Sequence, residues 1–303
     1  MPDAEIYHNN LNAVAFQTLG AEYYALCLQT YQLAKFVLAE KLAGGLTAHP
    51  AIVMDLDETV LNNAPYNAYL IDQGKNYHDD SWNKWCLEEK ATLVPGAFDF
   101  ITFARSQGVE VFFITSRLHD KVRAATSNNL YKLGILNKET AEQEGRADYP
   151  SGRRRLYMKN MPDFKAVTTE DILKYGAAPV PLKNKFDQRV FVELAHGVDI
   201  ILSIGDNLAD YAEYYGAAYD AAGEISKGYP SYISRRHSVL QDKALFGNDF
   251  ILVPNTMYGG WLRALDENKV GTKTEGEYVN TVVRPGLDTN ANGKLCNSEP
   301  WSG

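Results

Sequence analysis

Apolar and aromatic positions recur at helical spacing from Asn12 to Leu42, through Val14, Phe16, Leu19, Tyr23, Leu26, Tyr31, Leu33, Phe36 and Leu38. The pattern predicts one long helix or two shorter ones, closed by Gly44-Gly45. An unbroken apolar run, Ala51-Ile52-Val53-Met54, then reads as a buried strand that runs straight into Asp55-Leu56-Asp57-Glu58-Thr59. A stretch rich in aromatics follows (Tyr66, Tyr69, Tyr77, Trp82, Trp85), after which Val94-Pro95-Gly96 opens a helix to about Ser106. A second strand is predicted from Val109 to Ile114, stopping at Thr115-Ser116-Arg117, with another helix to about Leu133. Beyond a helix from about Phe186 to Ala195, the strand Val198 to Ile204 ends in Gly205-Asp206-Asn207-Leu208-Ala209-Asp210. A last strand-like run, Phe250 to Val253, leads into Pro254-Asn255-Thr256-Met257-Tyr258-Gly259-Gly260-Trp261.

This alternation predicts an α/β fold, a Rossmann-like parallel sheet flanked by helices and joined by right-handed crossovers, with a small, mainly helical accessory part. The core spans 46–262, interrupted by excursions at 62–93 and 137–176; residues 1–45 form a helical segment packing with the accessory part, and 263–303 an irregular extension. The second excursion is polar and punctuated by Gly and Pro, so it is expected on the surface rather than in the core. Its Arg153-Arg154-Arg155 cluster reads as a solvated loop without a role. No internal repeat is visible.

Composition narrows the classes. With 303 residues, 45% hydrophobic and 22% charged, the chain can bury a sizeable core and is not of the disordered kind. A net charge of −8, from 30 basic against 38 acidic residues, argues against a nucleic-acid polymer as partner. No apolar run reaches the length of about 18 residues that spans a bilayer. The opening MPDAEIYHNN has neither the basic nor the apolar region of a signal peptide, which leaves the compartment open because Met1 can equally head a processed chain. Cys27, Cys86 and Cys296 are too few and too scattered for a disulfide framework or a zinc site.

The chemistry lies where strands end. Asp55 and Asp57, two apart on the last extended residues, lean to one side and repel unless a cation sits between them. Asp206, at the end of another strand, adds a third oxygen donor, and a few carboxylates with waters and a phosphate are how Mg²⁺ is held. Any one of these Asp residues alone reads as the cap of the helix that follows. Three strands ending in D-L-D-E-T, T-S-R and G-D-N-L-A-D point instead to a site.

These motifs resemble those of the haloacid dehalogenase superfamily, whose phosphatases carry D-x-D-x-T, a Thr or Ser after the second strand, a Lys and a late acidic G-D-x-x-x-D. Within it, DLDETVLNN (55–63), SWNKW (81–85), VPGAFDF (94–100), VFFITSR (111–117), IGDNLADY (204–211) and PNTMYGGW (254–261) look like the class C bacterial acid phosphatases, which include outer-membrane lipoprotein 5′-nucleotidases. AVAFQTLGAEYYAL (13–26) also fits, so the resemblance runs from about residue 12 to about 262. The excursion at 137–176 is longer than that group leads one to expect, and the last forty residues have no counterpart in it.

The resemblance implies that Asp55 attacks phosphorus and becomes an aspartyl-phosphate, and that Asp57 is the general acid and then the general base. Thr115, backbone amides, a Lys and Mg²⁺ would surround the transferred group. The motif Lys precedes Arg189; of Lys183 and Lys185, Lys185 lies closer to the helix start that aims it inward. Metal ligands would be the Asp55 and Asp206 side chains and the backbone carbonyl of Asp57, with Asp210 orienting a bound water or the Lys from behind. Ser116 and Arg117 join the substrate-binding group. Tyr77, Trp82, Trp85 and Tyr258 would sandwich a nucleobase by stacking, although two Trp residues three apart on a helix equally form a buried face. The substrates implied are small phosphoesters, nucleoside monophosphates and aryl phosphates, in an extracytoplasmic, periplasmic or outer-membrane setting, with a homodimer possible. A phosphatase or phosphotransferase for sugar phosphates and a non-catalytic binding or storage protein are the competing readings.

A separate signal lies near the C-terminus. Residues 288–299 fill every position of the EF-hand calcium loop, with Asp288, Asn290, Asn292 and Glu299 as ligands for Ca²⁺. Pro285-Gly286 before it and only four residues after it leave no helix pair to complete a hand, so an Asn/Gly-rich turn is the alternative.

Overall fold

The computed structural model describes residues 10–45, 47–149, 153–161, 185–216 and 230–265. The N-terminal periodicity resolves into two helices, α1 (Leu11–Leu19) and α2 (Ala21–Ala43), separated at Gly20, whose ψ of 117° is extended. Then come β1 (Pro50–Met54), β2 (Leu61–Asn62), α3 (Ala64–Asp72), α4 (Asp79–Glu88), β3 (Thr92–Leu93) and α5 (Ala97–Ser106). The chain continues with β4 (Glu110–Leu118), α6 (His119–Lys132), α7 (Lys138–Glu144), β5 (Leu156–Lys159), α8 (Lys185–His196) and β6 (Asp199–Gly205). It ends its described course with α9 (Tyr232–Gln241), β7 (Phe250–Leu252) and α10 (Gly260–Leu265).

Five strands form one sheet in the order β5-β4-β1-β6-β7, every pair parallel. Its central strands are apolar on both faces, as a parallel sheet covered on both sides requires: Ile52, Met54, Phe112, Phe113 and Leu202 are all buried. The chain runs from central β1 outward through β4 to β5, then crosses back to the other side of β1 as β6 and β7, so the strand order reverses between β1 and β6. The crevice at the carboxyl ends of β4, β1 and β6 is where such sheets bind ligands.

The short antiparallel β2–β3 ladder, Leu61 opposite Leu93 and Asn62 opposite Thr92, closes the base of the excursion that carries α3 and α4. Helix α1 packs against α3, whereas α2 packs against α5 and the sheet, with Tyr23, Cys27, Tyr31 and Leu38 inside the main core. Tyr31 Oη donates to the Thr59 carbonyl at 2.6 Å and so ties α2 to the turn after β1.

Two expectations are corrected within 137–176. Residues Leu156–Lys159 are the edge strand β5, with Tyr157 and Met158 buried, rather than part of a surface excursion. Arg154 is not solvated: it is 1% exposed, pairs with Glu144 and donates to the Arg146 carbonyl at 2.9 Å. Arg155 pairs with Glu110 at 2.5 Å and lies over the Phe112 ring. Of the three arginines only Arg154 lies inside, where Glu144 of α7 neutralises it, whereas Arg155 is half-buried against Glu110 of β4 and Arg153 is exposed as expected. Strand β4 also runs past its expected end to Leu118, its pairing with β5 shifting register between Thr115 and Leu118. The C-terminal extension beyond residue 265, with Asp288, Asn290, Asn292 and Glu299, lies outside the described residues. So does Lys183.

Candidate active site

The ends of β4, β1 and β6 stand side by side, at a strand spacing of about 4.8 Å, and bring Thr115, Asp55 and Asp206 to one edge. The Asp55 amide donates to the Ile204 carbonyl at 2.9 Å, which extends the β1–β6 pairing to the first carboxylate. The backbone then folds back sharply: the amides of Val60 and Leu61 both donate to the Leu56 carbonyl, at 2.8 and 2.7 Å. Glu58 takes a left-handed φ of 59° in this turn, a costly conformation for a residue with a side chain. Its carboxylate accepts from the Asn63 amide at 2.7 Å, which holds the turn closed.

Oxygens of Asp55, Asp206 and Asp210 all lie within 4.8 Å of one another. Lys185, at the start of α8, places its ammonium 2.5 Å from Asp55 Oδ1 and 2.7 Å from Asp210 Oδ1. Burial opposes the Lys185 charge, but Asp210 and Asp55 outweigh it and hold the ammonium protonated. Among the described residues the donors to Asp206 are neutral, Asn255 Nδ2 at 2.7 Å and Thr59 Oγ1 at 3.3 Å. Burial, with Asp210 beside it, pushes Asp206 up to about 8, and burial likewise raises Asp55 despite Lys185. Three hard oxygen donors short of positive charge are the donor set that suits a divalent cation such as Mg²⁺. Gly205 belongs to this arrangement: a Cβ there would lie 2.8 Å from Asp210 Cβ and 2.9 Å from its Cγ.

Asp57 faces the other way. Its carboxylate receives Arg117 Nε at 3.0 Å and Nη2 at 2.7 Å, Asn63 Nδ2 at 3.0 Å and Thr115 Oγ1 at 3.4 Å. Arg117 is 1% exposed, and although burial works against its charge, Asp57 keeps it firmly protonated. Each carboxylate of D-L-D has its own protein counter-charge: Lys185 faces the first and Arg117 the second. Asp210, expected behind the metal, has an oxygen in the carboxylate group, while the Asp57 side chain is outside it. Arg117, expected to touch substrate, has its guanidinium on Asp57, whereas Ser116 is exposed beside it.

The aromatic residues divide. Tyr66 gathers Tyr77, Trp82 and Trp85, with ring centroids 6.4, 5.2 and 6.4 Å from its own. Trp82 lies over the Arg117 guanidinium at 5.6 Å, and Tyr77 is exposed. Trp85 Nε1 donates to Asn63 Oδ1 at 2.8 Å. Tyr258 instead packs against the small cluster of Val14, Ala64 and Met257, its hydroxyl buried without a protein partner. Sequence reasoning missed Asn63, Asn255 and Glu58; Asn63 and Glu58 stand inside the quoted DLDETVLNN motif and bond each other, but the donors that Asn63 meets, Trp85 and Arg117, come from a distant helix and strand.

A family model described as haloacid dehalogenase superfamily, subfamily IIIB (acid phosphatase), matches residues 3–261. The structure of a class C acid phosphatase from Bacillus anthracis with tungstate bound is similar at 29% identity and a TM-score of 0.67, over 90% of this chain and 94% of that one. A second structure of the class C acid phosphatase from Bacillus anthracis is similar at 28% identity and a TM-score of 0.66, over 92% and 96%.

Proposed function

Because the chain belongs to the acid phosphatases of haloacid dehalogenase subfamily IIIB and is a phosphomonoesterase, we propose that it hydrolyses nucleoside monophosphates and aryl phosphates through an aspartyl-phosphate on Asp55, with Mg²⁺ bound. The observation that carries this reading is the placement of two carboxylates with separate counter-cations: Asp55 against Lys185 at 2.5 Å, Asp57 against Arg117 at 2.7 Å.

Asp55 attacks phosphorus in line, and Asp57 gives a proton to the leaving ester oxygen. Arg117 stabilises the carboxylate that this leaves, which then takes a proton from the water that hydrolyses the intermediate. The Lys185 ammonium and Thr115 hydroxyl face the oxygens of the transferring group, where fixed donors act at no reorganisation cost. The side chains of Asp55, Asp206 and Asp210, with the Asp57 backbone carbonyl, would hold Mg²⁺. When bound, it supplies positive charge to the phosphoryl oxygens. The tungstate bound to the Bacillus anthracis class C acid phosphatase is an oxyanion of phosphate-like shape, which supports the reading of this chain as a binder of phosphoryl groups.

Tyr77 and Trp82, at the accessory edge of the site, are the rings best placed to stack on a base or aryl group. Tyr258, packed against Val14, Ala64 and Met257, is the second candidate. An extracytoplasmic setting is carried by the family; no helix among the described residues is long and apolar enough to cross a membrane.

The test is phosphate release from a panel of nucleoside monophosphates, p-nitrophenyl phosphate, sugar phosphates and glycerol phosphate, with Mg²⁺ or EDTA. Metal-dependent turnover that favours aromatic esters is the expected result. Equal or better turnover of sugar phosphates would overturn the substrate assignment, and full turnover in EDTA the metal assignment.

A further inference from the structure

Asn63 is fully buried, and all of its amide capacity is committed. Its Oδ1 faces Trp85 Nε1 at 2.8 Å and Arg117 Nη2 at 3.3 Å. Both are donors only, so the atom facing them is the oxygen and the orientation of the amide is determined. The amide nitrogen then points at three acceptors, Asp57 Oδ1 at 3.0 Å, the Leu61 carbonyl at 3.3 Å and Glu58 Oε2 at 3.4 Å. Asn63 thus couples helix α4 to the Asp57 carboxylate with a fixed polarity.

Helix α4 reaches Asp57 by a second route. Trp82, one turn before Trp85, lies over the guanidinium that grips Asp57. Arg117 Nη1 also donates to Thr126 on α6 at 3.3 Å, so the guanidinium is fixed from two sides. The two tryptophans of S-W-N-K-W therefore do different things. Trp82 lies against the Arg117 guanidinium beside Asp57, whereas Trp85 spends its one polar atom on Asn63.

We propose that Trp85 and Asn63 are positioning residues of the phosphoryl-transfer reaction: through the chain Trp85 Nε1, Asn63 amide, Asp57 carboxylate, helix α4 holds the leaving-group proton donor in its working direction. This deepens the function proposed above and rests on Asp57 being that donor. It also takes Trp85 out of the base-stacking group in which the sequence placed it.

The test compares kcat/KM for glycerol phosphate, whose alkoxide leaves only with a proton, and for p-nitrophenyl phosphate, whose phenolate leaves without one. Trp85→Phe keeps the ring and its packing but deletes the donor. It is expected to lower kcat/KM for glycerol phosphate about tenfold and for p-nitrophenyl phosphate less than about threefold, the scale of one lost hydrogen bond to a charged network. A stacking role would move the ratio the opposite way, with the aryl ester losing more. A merely structural role would lower both by one factor; either result overturns the proposal, as does no change.

Asn63→Asp is the second variant. It puts a carboxylate oxygen against Asp57 and Glu58, and the same selective loss for glycerol phosphate is expected. It decides the question should Trp85→Phe fail to fold. Asp57→Asn separates the two levels of the argument. If it lowers both substrates equally, Asp57 is not the proton donor and the underlying reading fails. If it shows the selective loss and the Trp85 and Asn63 variants do not, only the positioning role fails.

Discussion

Replacing Lys185 with methionine removes the ammonium that bridges Asp55 and Asp210 and keeps most of the side-chain volume. Its contacts are 2.5 and 2.7 Å long. At an effective dielectric of about 20, a unit-charge pair about 2.7 Å apart attracts by about 6 kcal/mol before desolvation is subtracted. Breaking a buried pair by deleting one partner leaves about 3–5 kcal/mol of net destabilisation. For a chain of this size that lowers Tm by about 5–10 °C in metal-free buffer. A divalent cation binds the folded variant and not the unfolded one, so added Mg²⁺ recovers part of the loss, and Tm rises more steeply with Mg²⁺ than in the wild type. Loss of one preorganised charge at the phosphoryl group lowers kcat by about 10²–10³. Thermal unfolding across a Mg²⁺ titration and phosphate release at saturating metal measure the two effects separately. A variant with turnover within about threefold of wild type, or with unchanged metal-free Tm, would refute the assignment of Lys185 as the cation of this site.

Chelation by EDTA is expected to abolish turnover and lower Tm, both restored by Mg²⁺; a Tm insensitive to EDTA and Mg²⁺ alike would count against a resident cation. Gly205→Ala places a methyl 2.8 Å from Asp210 Cβ, so it should displace that carboxylate and cost at least about tenfold in activity with the circular dichroism spectrum retained. Wild-type activity in Gly205→Ala would mean that the Asp210 position is not needed. Glu144 is pushed up to about 6 by burial, from an ordinary 4.5, with Arg154 and the Arg155 amide opposing. The folded state therefore holds this proton more tightly than the unfolded state. The contribution is full below about pH 4.5, is lost as pH rises through about 6, and amounts to about 2 kcal/mol. Glu144→Gln does not ionise, so the urea midpoint of the wild type should fall relative to that of the variant as pH rises across that window; a constant difference would rule out the shift.

What was legible in the sequence is what local pattern encodes. The runs Ala51–Met54, Val109–Ile114 and Val198–Ile204 are short, apolar and stop at polar clusters, so both the parallel sheet and the carboxylates at its edge could be read directly. Lys185 could be preferred over Lys183 because it opens a helix. Strand β5 was hidden because Leu156-Tyr157-Met158-Lys159 is brief and preceded by three arginines; the carboxylate that lets Arg154 be buried, Glu144, comes from α7, and the one that pairs with half-buried Arg155, Glu110, from β4. Asp57 shows the same limit. Two acidic residues two apart suggest a cation between them, but nothing in their spacing tells that an arginine 60 residues away, delivered by the end of β4, will also grip the second. Nothing in the residue types of N-N-A-P tells that Asn63 will meet Trp85, because that contact exists only once α4 folds back over the turn after β1.

The most direct test of the account is to trap the intermediate. Enzyme in steady-state turnover of a nucleoside monophosphate with Mg²⁺ is quenched in acid and reduced with borohydride, which converts an acyl phosphate on aspartate into homoserine, and the peptides are read by mass spectrometry. The account predicts homoserine at position 55 and nowhere else, absent from Asp55→Asn. Homoserine at another aspartate, or at none while wild-type turnover and the quench are verified, would contradict it.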